Sequence, residues 1–353
     1  TGTYHLFWRD EFSGIVYSNG DGETWSEPMT PRFPFSEPPF GALGDDGFEG
    51  FFSPTVFIDP QDRAHALWVN EDSEMFYSRS GVSNISTGSA GWTGPQLLAN
   101  NVFSYLLAAG GNGRLHMLYL TVRPSDTIEP GLVHRYSDDG GAVWSPPVNI
   151  YVSDYYRTIT PGEANIHIEA ADDQNVVVVW DNHDLDTVYE TRSTDNGETW
   201  EESRIVDQRL PEDPADSTGP SQINLHTNGS NINLTWRASH AENYCAQYVQ
   251  QSTDGGTTWQ DPLAVHEDEV SCPENGWFVQ GTNGLLFLVS TLDDNVYMQA
   301  QDGDQWSRPI LQAPLGSFID PTTYRNVSFD CYQSDVTLEN RLLVVGCGKS
   351  NDD

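Results

Sequence analysis

Five times this chain closes a strand-like run with one short turn: SNGDGETW at 18–25, SDDGGAVW at 137–144, STDNGETW at 193–200, STDGGTTW at 252–259 and the shortened QDGDQW at 301–306. A sixth, eroded copy ends at Trp92, so the tryptophans fall 67, 52, 56, 59 and 47 residues apart. That interval is close to one four-stranded blade of a radial all-β repeat protein. Repetition therefore constrains the fold before any single residue does.

The residue types of the turn have physical reasons. An Asp between two strands accepts hydrogen bonds from turn amides, Gly supplies positive φ where the chain reverses, and Trp packs its large ring between neighbouring sheets. The turns read as structural, including the aspartates that resemble metal ligands.

The pattern SxDxGxTW resembles the Asp-box, or BNR repeat, of the sialidase-like six-bladed β-propellers, and the likeness covers nearly the whole chain. It implies an all-β fold: one domain over residues 1–353, six blades of four antiparallel strands, with the ring closed by N- and C-terminal strands. The chain starts at TYHLFWRDE, which matches a second strand, so the first blade needs an inner strand from the C-terminus. Tyr324–Gln333 and the later LLVVGCG compete for that place. Alternating and β-branched runs with no sustained helical period predict a chain almost free of helix. Asp-boxes occur in enzymes, receptors and proteins without activity, so the fold alone does not assign a function.

Composition narrows the partners. With 52 acidic and 16 basic residues the formal charge is −36, which repels phosphate backbones and anionic lipid surfaces and argues against nucleic acid and membrane. Lys349 is the single lysine; an acidic, lysine-poor surface suits salt or an acidic exterior. No apolar run reaches membrane-spanning length. Cys245, Cys272, Cys331 and Cys347 form no CxxC pair. Two disulfides, Cys331 with Cys347 across a hairpin and Cys245 with Cys272 around a long loop, are one reading, and four buried thiols the other. Sequons beginning at Asn84, Asn228, Asn233 and Asn326 are compatible with export. The expectation is a secreted protein; the oligomeric state is not readable.

The resemblance places the Asp-boxes on one face and the starts of inner strands and ends of second strands on the other, around a central funnel. The candidates there are Arg9, Asp10 and Glu11; Asn70, Glu71 and Asp72; Arg123; Glu163, Asn165 and His167; Asp181, His183 and Asp184; Gln222, Arg237 and His240; Asp293 and Asp294; and Tyr324 with Arg325. Acids beside aromatic rings make up a sugar site, because rings stack on pyranose faces and carboxyl groups bind hydroxyls or protonate a leaving oxygen. Trp8, Trp68, Trp180 and Trp236 recur at matching points of second strands, which reads first as a packing layer. Two long connections, 29–52 and the YVSDYYRTITPGE segment with Tyr155, Tyr156 and Arg157, are expected to overhang the funnel.

A sialidase of this fold clamps the substrate carboxylate with three arginines and carries a Tyr–Glu pair and an acidic Asp. Here the FRIP signature is absent, with YRNV at 324–327 its nearest echo, and Arg237 is displaced by one blade. Glu163 falls where the resemblance expects the Glu, and Asp10 or Glu11 near the acid. The reading is therefore a sialidase-like glycoside hydrolase working by paired carboxylates. Its catalytic candidates are Asp10, Glu163 and Asp181; its glycan-binding candidates are Arg9, Glu71, Arg123, His183, Arg237, His240, Tyr324 and Arg325. A non-catalytic glycan- or protein-binding propeller is the alternative. No cofactor is expected; with no DxDxDG loop, Ca²⁺ on the axis is only a lesser alternative.

Overall fold

The computed structural model describes residues 4–10, 14–21, 23–30, 33–35, 55–61, 63–80, 91–159, 164–182, 186–215, 219–241, 246–265, 275–280, 285–292, 295–302, 305–314, 318–319, 326–336 and 342–350. For 7–10, 14–15, 275–277, 291–292, 295–296, 302, 310–314, 318–319, 326–336 and 342–350 only the backbone is described.

The six blades follow the repeats. Blade 1 holds β1 (Tyr4–Asp10) and β2 (Gly14–Gly20), with Tyr17 bridged to Met29 at the outer position. Blade 2 is β3 (Thr55–Ile58), β4 (Ala64–Val69), β5 (Glu74–Arg79) and β6 (Gln96–Asn100). Blade 3 is β7 (Val102–Ala109), β8 (Leu115–Thr121), β9 (Gly131–Ser137) and β10 (Val148–Val152). Blade 4 is β11 (Ile166–Ala170), β12 (Val176–Asn182), β13 (Thr187–Ser193) and β14 (Arg204–Gln208). Blade 5 is β15 (Ser221–Asn228), β16 (Asn231–Ala238), β17 (Ala246–Ser252) and β18 (Leu263–Val265). Blade 6 is β19 (Asn275–Gln280), β20 (Leu286–Leu292), β21 (Asn295–Asp302) with the short β22 (Gln305–Trp306), and β23 (Ile310–Pro314). Every blade pairs its strands antiparallel in chain order.

The C-terminal strands β24 (Phe318–Ile319), β25 (Asn326–Val336) and β26 (Leu342–Ser350) form a further sheet. β25 lies against β19 as neighbouring inner strands do elsewhere in the ring, but among the described residues no strand pairing joins it to β1, whose sheet holds β1 and β2 alone. The backbones of Cys331 and Cys347 stand directly opposite in the β25–β26 ladder. Cys245 and Cys272 lie outside the described residues, as does Asn84. Asn233 is buried in β16, where its side chain accepts a hydrogen bond from Gln251, so that sequon is closed to a glycan. A single 3-10 turn, Asp154–Arg157, interrupts the strands among the described residues, and no described helix is long and apolar enough to cross a membrane.

The turn motif works as its residues predict. The serine hydroxyls of Ser137, Ser193 and Ser252 donate to Asp139, Asp195 and Asp254 at 2.8, 2.8 and 2.9 Å. Each also accepts from the amide of Gly141, Gly197 or Gly256. The aspartates in turn take backbone amides of the turn: Asp139 accepts from Ala142 and Val143, both at 2.9 Å. Gly141 and Gly197 both have φ of +84°, and a Cβ on Gly197 would meet His134 of the preceding blade at 2.7 Å. Positive φ and close approach together call for glycine there.

Each turn is also held by the blade before it. Arg79 of blade 2 donates to the carbonyls of Asp139 and Gly140, Arg114 of blade 3 to that of Asn196, and Arg192 of blade 4 to the hydroxyl of Thr257. The core lies between blades, with one cluster built from Leu118, Leu132, Ile166, Val178 and Trp180 and another from Val177, Val179, Leu225 and Leu234.

The second-strand tryptophans form the expected packing layer. Trp68 stacks on Phe76, Trp180 on Tyr189 and Trp236 on Tyr248 across the ladder, with centroids 5.7, 5.6 and 5.5 Å apart. Trp180 and Trp236 are 0% and 1% exposed, which closes them to a sugar. They differ at one atom: Trp236 Nε1 donates to Asp207, whereas Trp180 Nε1 has no partner among the described residues. Phenylalanine keeps the stack in both, so Trp236→Phe should cost about 1–3 kcal/mol more than Trp180→Phe. Equal urea midpoints at constant m-value would refute the assignment.

Candidate functional site

Antiparallel order puts the turns between second and third strands, and the entries to inner strands, at the end of the axis opposite the Asp-boxes. Arg9 and Asp10 end β1, facing Ile15 and Gly14 in its ladder. Glu163, His183, Tyr324 and Arg325, with Glu11, Asp184, Asp293 and Asp294, lie outside the described residues.

Blade 4 has the most closely held acid of this face. Asp181 is 0% exposed, and its two carboxylate oxygens accept the backbone and side-chain amides of Asn165, both at 2.7 Å. The Asp181 amide donates back to the Asn165 carbonyl. Asp181 therefore fastens the entry of β11 to the end of β12. Asn165 stands two residues after Glu163 in the sequence. Tyr156 packs fully buried in the cluster with Trp180; burial first, then the charges of Tyr151 and Asp181, push its hydroxyl well above the ordinary range. Arg157 is exposed and paired with Asp154 and Glu129 at 3.0 and 3.4 Å, away from an anion-clamp role.

The other blades offer exposed groups. Glu71 is exposed in the β4–β5 turn, which Asn70 builds by accepting the amides of Asp72 and Glu74. Arg123 is exposed just beyond β8. Arg237 is half-buried near the end of β16, opposite Ser221 and Gln247. Gln222, at the entry of β15, is exposed with φ of +52°.

His240 is bound between two acids: Nδ1 lies 3.0 Å from Asp213, and Nε2 lies 3.1 Å from Asp207. Burial opposes its charge, but the two carboxylates outweigh it and raise its pKa. It joins the outer strand of blade 4 to blade 5. Phe35 packs on Trp68 and Phe33 on Trp92, so the start of the long 29–52 connection covers a blade edge.

Sequence reasoning named His167 as a funnel residue but missed Glu169 and His226, which lie with it beside the axis. In β11, Ile166 and Ile168 are buried in the cluster shared with blade 3, while His167 and Glu169 keep part of their surface free. Glu169 Oε2 lies 3.5 Å from the hydroxyl of Thr227 on β15. Burial pushes the Glu169 carboxyl up to about 7 and holds His167 and His226 neutral down to about 4. The signal was present: polar residues at every second position of IHIE and INLHT in strands that must line the axis. Glu169 faces Val177 in the ladder and so sits nearer the Asp-box end of the axis than the funnel mouth. Among the described residues no group of three His, Cys, Asp or Glu is arranged to hold a metal ion.

Solved structures with the same architecture include the lectin BP39L from Burkholderia pseudomallei, at a TM-score of 0.60 and 12% identity over 99% of this chain and 95% of its own. An ulvan lyase bound to -[GlcA(1-4)Rha3S]- aligns at 0.56 and 12% identity, over 98% of this chain and 87% of the lyase. Polysaccharide lyase Uly1 aligns at 0.59 and 10% identity, over 99% and 85%. At these identities the likeness is one of fold. No match emerges among curated protein sequences. The model of the BNR repeat-like domain matches residues 70–313, most of the chain and five of its six tryptophan turns, and the protein belongs to that family.

Proposed function

We propose that this propeller is a secreted carbohydrate-active protein that binds glycans at its funnel end and hydrolyses glycosidic bonds there through paired carboxylates. The observation that carries the reading is topological. Strand order and register bring Arg9 and Asp10, Glu71, Arg123, the Asn165–Asp181 clamp and Arg237 from five blades to the end of the axis opposite the Asp-boxes. Solved neighbours on this scaffold include a lyase bound to a saccharide and a lectin, which supports a glycan as ligand.

In this reading Glu163 and Asp10 flank the scissile bond. One carboxyl donates its proton to the leaving oxygen, and the other acts on the anomeric carbon or on a water. A separation of about 5 Å would give retention and one of about 6.5–9.5 Å inversion. Asp181, with both oxygens engaged, positions the Glu163 segment. Arg123 and Arg237 supply donors for hydroxyl or carboxylate groups of the glycan.

The engagement of Asp181 also favours a second reading, a propeller that binds glycans without cleaving them. Hydrolysis of an aryl glycoside panel of sialosides, arabinosides and galactosides separates the two. Turnover of one class is the expected result. Glycan binding with no turnover on any member would leave only the second reading.

A further inference from the structure

Aligning blades 2 to 5 on the serine that ends the third strand puts Tyr77, His134, Glu190 and Val249 at one register, three residues before Ser80, Ser137, Ser193 and Ser252. Each faces the turn tryptophan of the next blade. Tyr77 meets Trp144 edge-on at 5.2 Å, His134 meets Trp200 at 4.9 Å, and Val249 packs in a buried cluster with Trp306. Glu190 breaks the series by placing a carboxylate, 3% exposed, where its counterparts place a ring or an aliphatic group.

The junction of blades 4 and 5 is correspondingly open. A cleft of about 120 Å³ is lined by Glu190, Arg192, Glu201, Glu202, Arg204 and Trp259, with the Asp-box backbone of blade 5 at its edge. Glu190 Oε2 accepts from Arg204 Nε, but Oε1 is buried with no hydrogen-bond partner among the described residues. Arg204 lies over the Trp259 ring at 4.9 Å and donates through Nη2 to Gln250, leaving Nη1 with no bond to the described residues. Burying an unpaired carboxylate oxygen is costly, and burial raises the Glu190 pKa despite the nearby Arg204 guanidinium. A hydrophobic residue at this register would avoid that cost, as Val249 does one blade on.

One free acceptor and one free donor side by side, next to an indole, match a pair of adjacent hydroxyls on a ring with an apolar face. At about 120 Å³ the cleft is smaller than a ligand pocket of about 300 Å³ or more, so it takes part of one ring and leaves the rest in solvent. Glu201 and Glu202 at the rim, with Glu190 inside, repel uronates and sulfates. We propose that the cleft between blades 4 and 5 binds one neutral monosaccharide unit, with vicinal hydroxyls on Glu190 and Arg204 and its apolar edge against Trp259. This is a binding site on the Asp-box side of the molecule, separate from the funnel. A glycan held there would be tethered beside the ring while another segment reaches the funnel.

Saturation-transfer NMR of the whole protein with D-galactose, L-fucose, L-rhamnose and D-mannose tests the assignment. Transfer to at least one of these sugars is expected. Glu190→Val, which installs the residue of blade 5, should weaken it by about tenfold or more. A thermal melt checks that the variant is folded. Should it unfold, Arg204→Lys keeps a charge beside Glu190 but loses the planar fork, and a severalfold loss carries the same meaning. No transfer to any neutral sugar at millimolar concentration, transfer to glucuronate alone, or undiminished binding in a folded variant would overturn the proposal. Funnel turnover is scored on separate substrates, so either reading can fail while the other stands.

Discussion

Acidification from about pH 7 to about pH 4.5 is expected to lower the unfolding free energy by several kcal/mol, because five histidines, three buried and two partly so, are neutral in the fold and must stay so. His116 and His134 stack at 5.4 Å between blades 3 and 4, and His116 also bonds to Asn196 of the blade 4 turn. Burial, with Arg114 nearby, holds His116 neutral down to about 4, and burial with the neighbouring His116 holds His134 well below its usual value. His65, between Asp59 and Tyr77, is lowered mainly by burial, and His167 and His226 to about 4. A ring whose folded pKa is depressed contributes stability above its unfolded value near 6.5 and loses it as pH falls toward the folded value. For His116 alone this is on the order of 3 kcal/mol, and less for His167 and His226, which keep some exposure.

Three groups oppose the trend. Glu169, raised to about 7, contributes fully below 4.5 and loses its contribution as pH rises through 7. Glu190, raised by burial, likewise contributes below 4.5 and loses its contribution as pH rises. His240, also raised, contributes below about 6.5. Five rings outweigh these three, so stability should peak near neutrality. Urea midpoints at both pH values decide it, and an unchanged midpoint would show that the rings do not titrate as their burial requires.

How much of this was legible depended on whether the interaction was local. The Asp-box is self-contained: Ser137, Asp139 and Gly141 bond within five residues, so SxDxGxTW could be read as geometry. The tryptophan layer was legible too, because Trp180 and Tyr189 are joined by a regular ladder. Asp181 was different. Its place at the end of a second strand marked it as a funnel acid, but the partner that engages it, Asn165, comes from another strand and gives no signal in the residues around it. Glu169 and His226 were hidden because the axis gathers residues from blades some 57 positions apart, and only their alternate spacing hinted at a shared line. Glu190 was visible in principle: once the box serines are aligned it stands against Tyr77, His134 and Val249, but its meaning required the cleft.

Glu163→Gln should reduce turnover on the responsive glycoside by about 10²–10⁴-fold while leaving KM and the thermal midpoint near wild type, because the amide keeps the shape and hydrogen-bonding reach of the side chain but can neither donate nor take the proton. Asp181 gives the contrast that makes this informative. Asp181→Ala takes the charged acceptor from both amides of the exposed Asn165, which should cost about 1–3 kcal/mol of stability. It should also lower turnover by a smaller factor, since the Glu163 segment loosens without losing its carboxyl. If Asp181 were itself the acid, its replacement would match Glu163→Gln in rate and Asp181→Asn would not restore it. As a positioning residue, Asp181→Asn keeps one carbonyl acceptor for the Asn165 backbone amide and should recover part of both stability and rate. A Glu163→Gln enzyme with unaltered kcat would remove Glu163 from the chemistry and leave Asp10 to be tested in its place. Equal losses in all three variants, with no separation between rate and stability, would mean that the entry to β11 matters only as scaffold and that the funnel binds its glycan without breaking it.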